Sequence, residues 1–229
     1  AARVRQAAPE PPPTYPPPAE VRELLSRARG DGDAVAWATR RGASKVLPGC
    51  LGTLPPDAAD VWGWPGWALL GTRSWPELGY RYVVPMCDGR GAIRSVRVRR
   101  DDEAAPWPGA PKAVPPTGYS MRGLWMASRW GREQLGRGWT GPVVLVEGEP
   151  AWLAGVACWE SAAVLVLGFV AGSATDATRA AVARASSVLV AVDDDDAGKG
   201  YIAGWAAPGK QVASTTDKDR PDGWPVTIR

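Results

Sequence analysis

The sequence predicts an α/β fold in which a parallel sheet flanked by helices is preceded by a smaller α+β subdomain. Two observations carry this. In the C-terminal half, the short apolar runs PVVLVE, AAVLVLG and SVLVAV alternate with segments of helical spacing, the pattern of strands buried on both faces. Ahead of them, YRYVV and IRSVRVRR are β-type runs separated by CDGRG, a Gly-containing turn that signals a hairpin. The expected organisation is a proline-rich tail over 1–20, an α+β subdomain with a basic strand over 21–139, and the parallel-sheet domain over 140–229.

Taken in order, APEPPPTYPPPAE is too rich in proline for a helix or a sheet interior and reads as a semi-rigid linker or tail, joining the chain to a segment upstream. From Val21, apolar and charged positions alternate at helical spacing, and GDGD breaks the stretch into two short amphipathic helices. Residues 47–80 are dense in Gly, Pro and Trp and show little periodicity beyond a strand expected at 67–70. Trp62, Trp64 and Trp67 are candidates for base stacking, although packing of a loop-rich region explains them as well. In the second hairpin run Arg94, Val96 and Val98 share one face, and Arg97 and Arg99 occupy the other. A loop bearing Lys112 follows, then a helix expected over 124–135. The parallel-sheet region reads as strand, helix (AWLAGVACWE), strand, helix (SATDATRAAVARA, with Ser173 or Thr175 as cap), strand, helix from near Gly198, and a last strand around KQVAS.

Composition excludes several function classes. The 27 Lys and Arg against 24 Asp and Glu give a net charge of +3, but the stretch 81–100 holds six arginines against Asp88 alone, so any affinity for polyanions is local. The chain has no His and only three widely spaced Cys, which argues against a structural zinc site or a His-dependent triad. Neither a membrane span nor a secretory leader is indicated, and a cytoplasmic location is expected.

The acidic run VAVDDDDAG directly follows an apolar strand. A calcium loop of the EF-hand type fails, because Gly204 stands where a bidentate Glu is required. A haloacid-dehalogenase nucleophile motif would need Thr or Val where Ala197 stands. DAGKGY lacks the spacing of a phosphate-binding Walker loop. What fits is Glu147 in VVLVEGEP with Asp193 46 residues later, one βα unit apart. This pairing resembles the Toprim domain shared by bacterial-type primases, topoisomerases and some nucleases. By that resemblance Glu147 matches the family glutamate, Asp193 and Asp195 match its DxD pair, and Gly198 the glycine that often follows. On an extended segment Asp193 and Asp195 point the same way and can share a cation. Hard oxygen donors without His or Cys favour magnesium or manganese.

The resemblance extends upstream to the catalytic core of bacterial and phage primases, through RYVVPMCDGRGAIRSVRVRR and the Pro-Lys loop APKAVPPTGYS. It implies that Arg97, Arg99 and Lys112 contact nucleotide phosphates or template. TTDKDRPDGW is similar to the family's late acidic motif, implying Asp217 and Asp219 as outer metal-site carboxylates. One departure stands out: many primases carry an Asp four residues after the glutamate, where this chain has Ala151, and Glu149 is the candidate to replace that charge.

The resemblance implies a Toprim-type sheet, a primase-like upstream subdomain, and a nucleotidyltransferase of a phage, plasmid or comparable DNA replication module. Its reaction would be magnesium- or manganese-dependent synthesis of short oligoribonucleotide primers on single-stranded DNA from nucleoside triphosphates. A replicative helicase and a separate zinc-binding template-reading module are the implied partners. A Toprim nuclease and a non-catalytic nucleic-acid-binding subunit remain the alternatives.

Overall fold

The structure is a computed structural model and describes residues 12–28, 32–47, 49–55, 63–101, 106–205, 212–215 and 221–223. The first helix, α1 (Pro18–Arg27), starts inside the segment expected to be a tail. Proline suits the first helical turn, where its missing N–H has no intrahelical partner anyway, and Pro17-Pro18 opens the helix for that reason. The preceding residues are also engaged: Ser120 donates to the Thr14 carbonyl at 2.9 Å, and the Tyr15 hydroxyl to the Arg122 carbonyl at 2.9 Å. Residues 12–17 are thus docked on the body of the protein. Val21 and Leu24, one helical turn apart, are the buried face of α1.

After α2 (Gly32–Arg40) and β1 (Gly52–Thr53), the Trp-rich stretch forms a 3-10 turn at Gly66–Ala68 and a two-stranded ribbon, β2 (Leu69–Leu70) and β3 (Arg73–Ser74), so only the second half of the strand expected at 67–70 is strand. Trp67 is buried edge-on to Trp75, 5.5 Å between centroids, and donates to Glu20 at 2.6 Å. Its role is packing.

The hairpin forms as expected: β4 (Tyr80–Cys87) pairs antiparallel with β5 (Ile93–Arg100). Its tip is built by Asp88, whose carboxylate accepts from the Arg90 and Ala92 amides at 2.9 and 3.1 Å and from Arg94 at 2.7 Å. Gly91 adopts φ 78° there, and a side chain would run into the Arg132 carbonyl of the neighbouring helix. Val96 and Val98 lie with Val83, Trp67 and Trp75 in one core, and Arg97 and Arg99 face the opposite side.

Outside β5 lies β6 (Ala113–Val114). The helix expected over 124–135 is shorter: Leu124 is followed by a strand, β7 (Trp125–Met126), and α3 spans Arg129–Arg137. Ser128 caps it, accepting from Gly131 at 2.9 Å, and Gly138 closes it in the left-handed conformation. The apolar residues before the cap extend a helical periodicity, but they are paired in a sheet.

The parallel part contains β8 (Val143–Glu147), α4 (Glu149–Trp159), β9 (Leu165–Phe169), α5 (Asp176–Val182), β10 (Val188–Ala191), α6 (Asp196–Trp205) and β11 (Val212–Thr215). Thr175, not Ser173, caps α5, in a reciprocal box with Thr178. One sheet runs β11-β10-β8-β9-β7-β4-β5-β6, with β1 also on β4. The first four strands are parallel and β7 is antiparallel to both its neighbours. Val144, Val146, Val166 and Leu189 pack beneath α4 and α2, while Val143, Leu145, Leu167 and Val190 pack with residues of α3, α5 and α6. Helices on both faces explain why these strands read as continuous apolar runs.

Ser128 also donates to both oxygens of Glu160 at 2.7 Å, in a site where burial pushes that carboxyl up to about 7, against the opposing effects of the Ser128 hydrogen bond and Arg132. A carboxyl raised above its unfolded value of 4.5 contributes stability fully below pH 4.5 and loses it as pH rises through about 7. The loss is on the order of 3 kcal/mol. Melting temperatures between pH 5 and 8 should therefore fall less in Glu160→Gln than in the wild type, and equal slopes would refute the assignment.

Candidate active site

Glu147 is the last residue of β8, and Asp193 lies two residues beyond β10, its direct neighbour in the sheet. Ligand sites of open α/β sheets gather at this carboxyl edge. The Asp193 amide faces the Glu147 carboxylate at 3.4 Å. At the exit from β8, Gly148 takes φ 80°, bonds to the Phe169 carbonyl at 3.1 Å and starts α4. The conformation turns the chain sharply, so that Glu147 ends a strand and Glu149 begins a helix.

The aspartate run does not stay extended. Asp195 sits at the head of α6, its carboxylate accepting from the Gly198 amide at 2.7 Å while its carbonyl accepts from Lys199 at 3.1 Å. The expectation that Asp193 and Asp195 are presented alike on an extended segment is thereby corrected: helix capping redirects the second one. Gly198 is buried, and a Cβ there would collide with the Asp193 carbonyl oxygen. The motif glycine is thus needed so that α6 can approach Asp193. Asp194 and Asp196 are exposed.

Tyr201 was not anticipated. It stacks edge-on with Phe169 at 5.2 Å, and its hydroxyl is pushed up by burial first and then by the nearby charges of Glu147 and Asp195. Gly198, Tyr201, Ile202 and Trp205 recur at i, i+3, i+4 and i+7, the inward face of a helix, and that spacing was the available signal.

Arg97 and Arg99 are brought together by Glu149. Its side chain is 3% exposed; Arg97 binds one carboxylate oxygen through Nε, and Arg99 Nη1 donates to the other at 2.8 Å. Glu149 is therefore not a substitute for the aspartate replaced by Ala151, because both of its oxygens face arginines. Burial would raise its carboxyl, but the charges of Arg97 and Arg99, with hydrogen bonds, outweigh that and hold it below the usual range. Burial pulls the Arg99 guanidinium down, partly offset by Glu149; guanidinium stays protonated regardless, so the cluster carries a net single positive charge. Arg99 also lies over the Trp37 ring, 5.4 Å from its centroid, and Trp37 stacks on Tyr82 at 5.0 Å. Lys112 is exposed beside β6, at the far end of the strand order from β10 and β11. Asp217 and Asp219 lie outside the described residues, as does Trp62.

No family model and no curated protein matches this sequence. Solved structures do match its fold. The Aquifex aeolicus primase (zinc-binding and RNA polymerase domains) superposes with a TM-score of 0.57 at 16% identity, over 89% of this chain and 56% of that one. This chain thus spans little more than half of that protein. A DnaG primase catalytic domain, solved bound to single-stranded DNA, gives 0.57 at 16% identity over 90% of this chain and 74% of its own. The chain has the fold of a primase catalytic core. A DNA primase domain from Pseudomonas aeruginosa adds 0.52 at 16% identity, over 92% of this chain and 76% of that domain.

The donor chemistry here suits a hard divalent cation, since Glu147, Asp193 and Asp195 offer only oxygen. Among the described residues, however, no group of three such side chains is gathered closely enough to hold an ion. The backbone amide of Asp193 faces the Glu147 carboxylate, while the Asp195 carboxylate is turned to its helix cap. No helix among the described residues is long and apolar enough to cross a membrane.

Gly198→Ala should cost about 1–3 kcal/mol by overpacking and push α6 away from Asp193. Chemical denaturation reads the first effect. Stability within about 0.5 kcal/mol of wild type, the range of a neutral surface substitution, would show that α6 does not need this close approach.

Proposed function

We propose that the protein is a primase-like nucleotidyltransferase that joins ribonucleotides on single-stranded DNA. The observation carrying this reading is the convergence of Glu147 and Asp193 at neighbouring strand ends of a primase-core fold. Glu147, Asp193 and Asp195 would hold magnesium or manganese, with Asp217 and Asp219 as outer carboxylates. When bound, the ion stabilises charge on the attacking and leaving oxygens of an in-line displacement at the triphosphate. Arg97, whose side chain is 22% exposed, and Lys112 receive phosphates, with Arg99 behind Arg97 adding positive charge to the same strand. Backbone contacts of this kind give a sequence-independent affinity for nucleic acid that weakens with salt. A replicative helicase and a separate zinc-binding template-reading module are the partners this reading implies.

The test is oligonucleotide synthesis from labelled nucleoside triphosphates on single-stranded DNA with magnesium or manganese, beside Asp193→Asn/Asp195→Asn. Products are expected from the wild type, with a loss of at least about a hundredfold in the variant, as for removal of groups stabilising transition-state charge. Cleavage of the template instead would point to the nuclease alternative. DNA binding without either reaction would point to a binding subunit, the reading that Ala151 favours.

A further inference from the structure

We infer that Glu149 is a positioning residue, binding Arg97 and Arg99 so that the basic hairpin clamps the first turn of α4 and fixes Gly148 and Glu147 immediately before it. Three facts carry this. Both carboxylate oxygens of Glu149 are taken by arginines 52 and 50 residues away in the chain, on β5, so the contact joins the two parts of the sheet. The carboxylate is 3% exposed, so water does not substitute for either arginine. Between Glu149 and Glu147 there is only Gly148, whose positive φ of 80° leaves the β8 exit dependent on what holds either side. On one side the hold is the bond from the Gly148 amide to the Phe169 carbonyl at 3.1 Å; on the other it is Glu149.

The arrangement has a polarity. Arg99 is anchored deeper, at 9% side-chain exposure and over the Trp37 ring, while Arg97 is the outer member at 22%. Removing Glu149 leaves two neighbouring cations without their shared counter-ion, and they repel each other and the first turn of α4 is released. Removing Arg97 leaves the buried pair of Glu149 and Arg99 intact and electrically balanced. Loss of Glu149 should therefore disturb the β8 exit more than loss of Arg97.

The readout is hydrogen exchange of the Gly148 and Asp193 amides, the first bonded to Phe169 and the second facing Glu147. In Glu149→Gln both should exchange at least tenfold faster than in the wild type, while amides of β4 and β9 keep their relative protection. Arg97→Gln, which retains the buried pair, should fold even if Glu149→Gln does not, with an increase of a few fold. Glu149→Asp should recover part of the protection. The same variants titrated with manganese, followed by the loss of its free-ion paramagnetic signal, should bind the ion several-fold more weakly in the same order. That last effect rests on the reading of Glu147 as an ion ligand; a wild type that binds no manganese overturns that reading, and the exchange data still decide on Glu149. Unchanged exchange at Gly148 in Glu149→Gln, or in Arg97→Gln where the former does not fold, overturns the positioning role and leaves Glu149 a local stabilising contact.

Discussion

A two-residue strand decides whether this protein has one sheet or two. β7 pairs on one edge with Met86 and Cys87 of the hairpin and on the other with Gly168 of the parallel part, antiparallel to both. The constraint reaches the sequence through Gly168: a Cβ at that position would meet the Met126 side chain and the Trp152 ring, 2.6 and 2.7 Å away. Only with hydrogen at that position can Met126 pair there while Trp152 seals the face beneath α4. Trp125, the other residue of β7, points to the opposite face and stacks on Trp205 of α6 at 5.3 Å. The same two residues thus join the strands and seat elements on either side of the sheet.

Because so short a strand supplies few backbone hydrogen bonds, side chains must carry the rest of the joint. Glu149 with Arg97 and Arg99 is one tie, and the capped head of α3 is another, with Ser128 binding Glu160 across the interface. Arg132 adds a third, donating to the Gly49 and Ala127 carbonyls at 3.0 and 2.8 Å, while its own carbonyl stands where a side chain on Gly91 would have to go. Buried charge of this kind contributes little net stability compared with apolar packing, but it penalises every arrangement that separates the partners. The ties therefore define how the hairpin meets the parallel strands more than they hold the fold together.

What could be read from the amino-acid order follows the range of the interactions. β8, β9 and β10 were legible because burial on both faces leaves a local signature, an unbroken apolar run. The hairpin was legible because its turn is built within five residues by Asp88 and Gly91. The start of α3 is hidden because Leu124 to Met126 has the composition of a helix, while Trp125 and Met126 are held as a strand by partners about 40 residues away on either side; only Ser128 marks the true start. Of the expected tail, residues 1–11 lie outside the described residues, while 18–20 are helical: proline signals both an irregular chain and the first turn of a helix, and the buried Val21 and Leu24 decide between them. Arg97 and Arg99 were placed on the correct face, but their partner was invisible, since no local pattern reports an ion pair across 50 residues. That Glu147 and Asp193 end up beside each other follows from their place at strand ends in the strand-helix-strand order and from β8 and β10 being neighbours in the sheet.

The four aspartates have an electrostatic reason of their own. The head of a helix carries a partial positive charge from its unpaired amides, which disfavours a cation beside it. Asp195 neutralises part of that by accepting from Gly198, and Asp196 lies in the first turn, where its charge is favourable to the helix. Together these two offset the positive helix head, so a cation beside it is disfavoured less. Tyr201, edge-on to Phe169, lies near the same carboxylates: burial first, and then the charges of Glu147 and Asp195, push its hydroxyl up. Asp193 and Asp194 stand ahead of α6 and add negative charge to this edge beyond the two aspartates that offset the helix head.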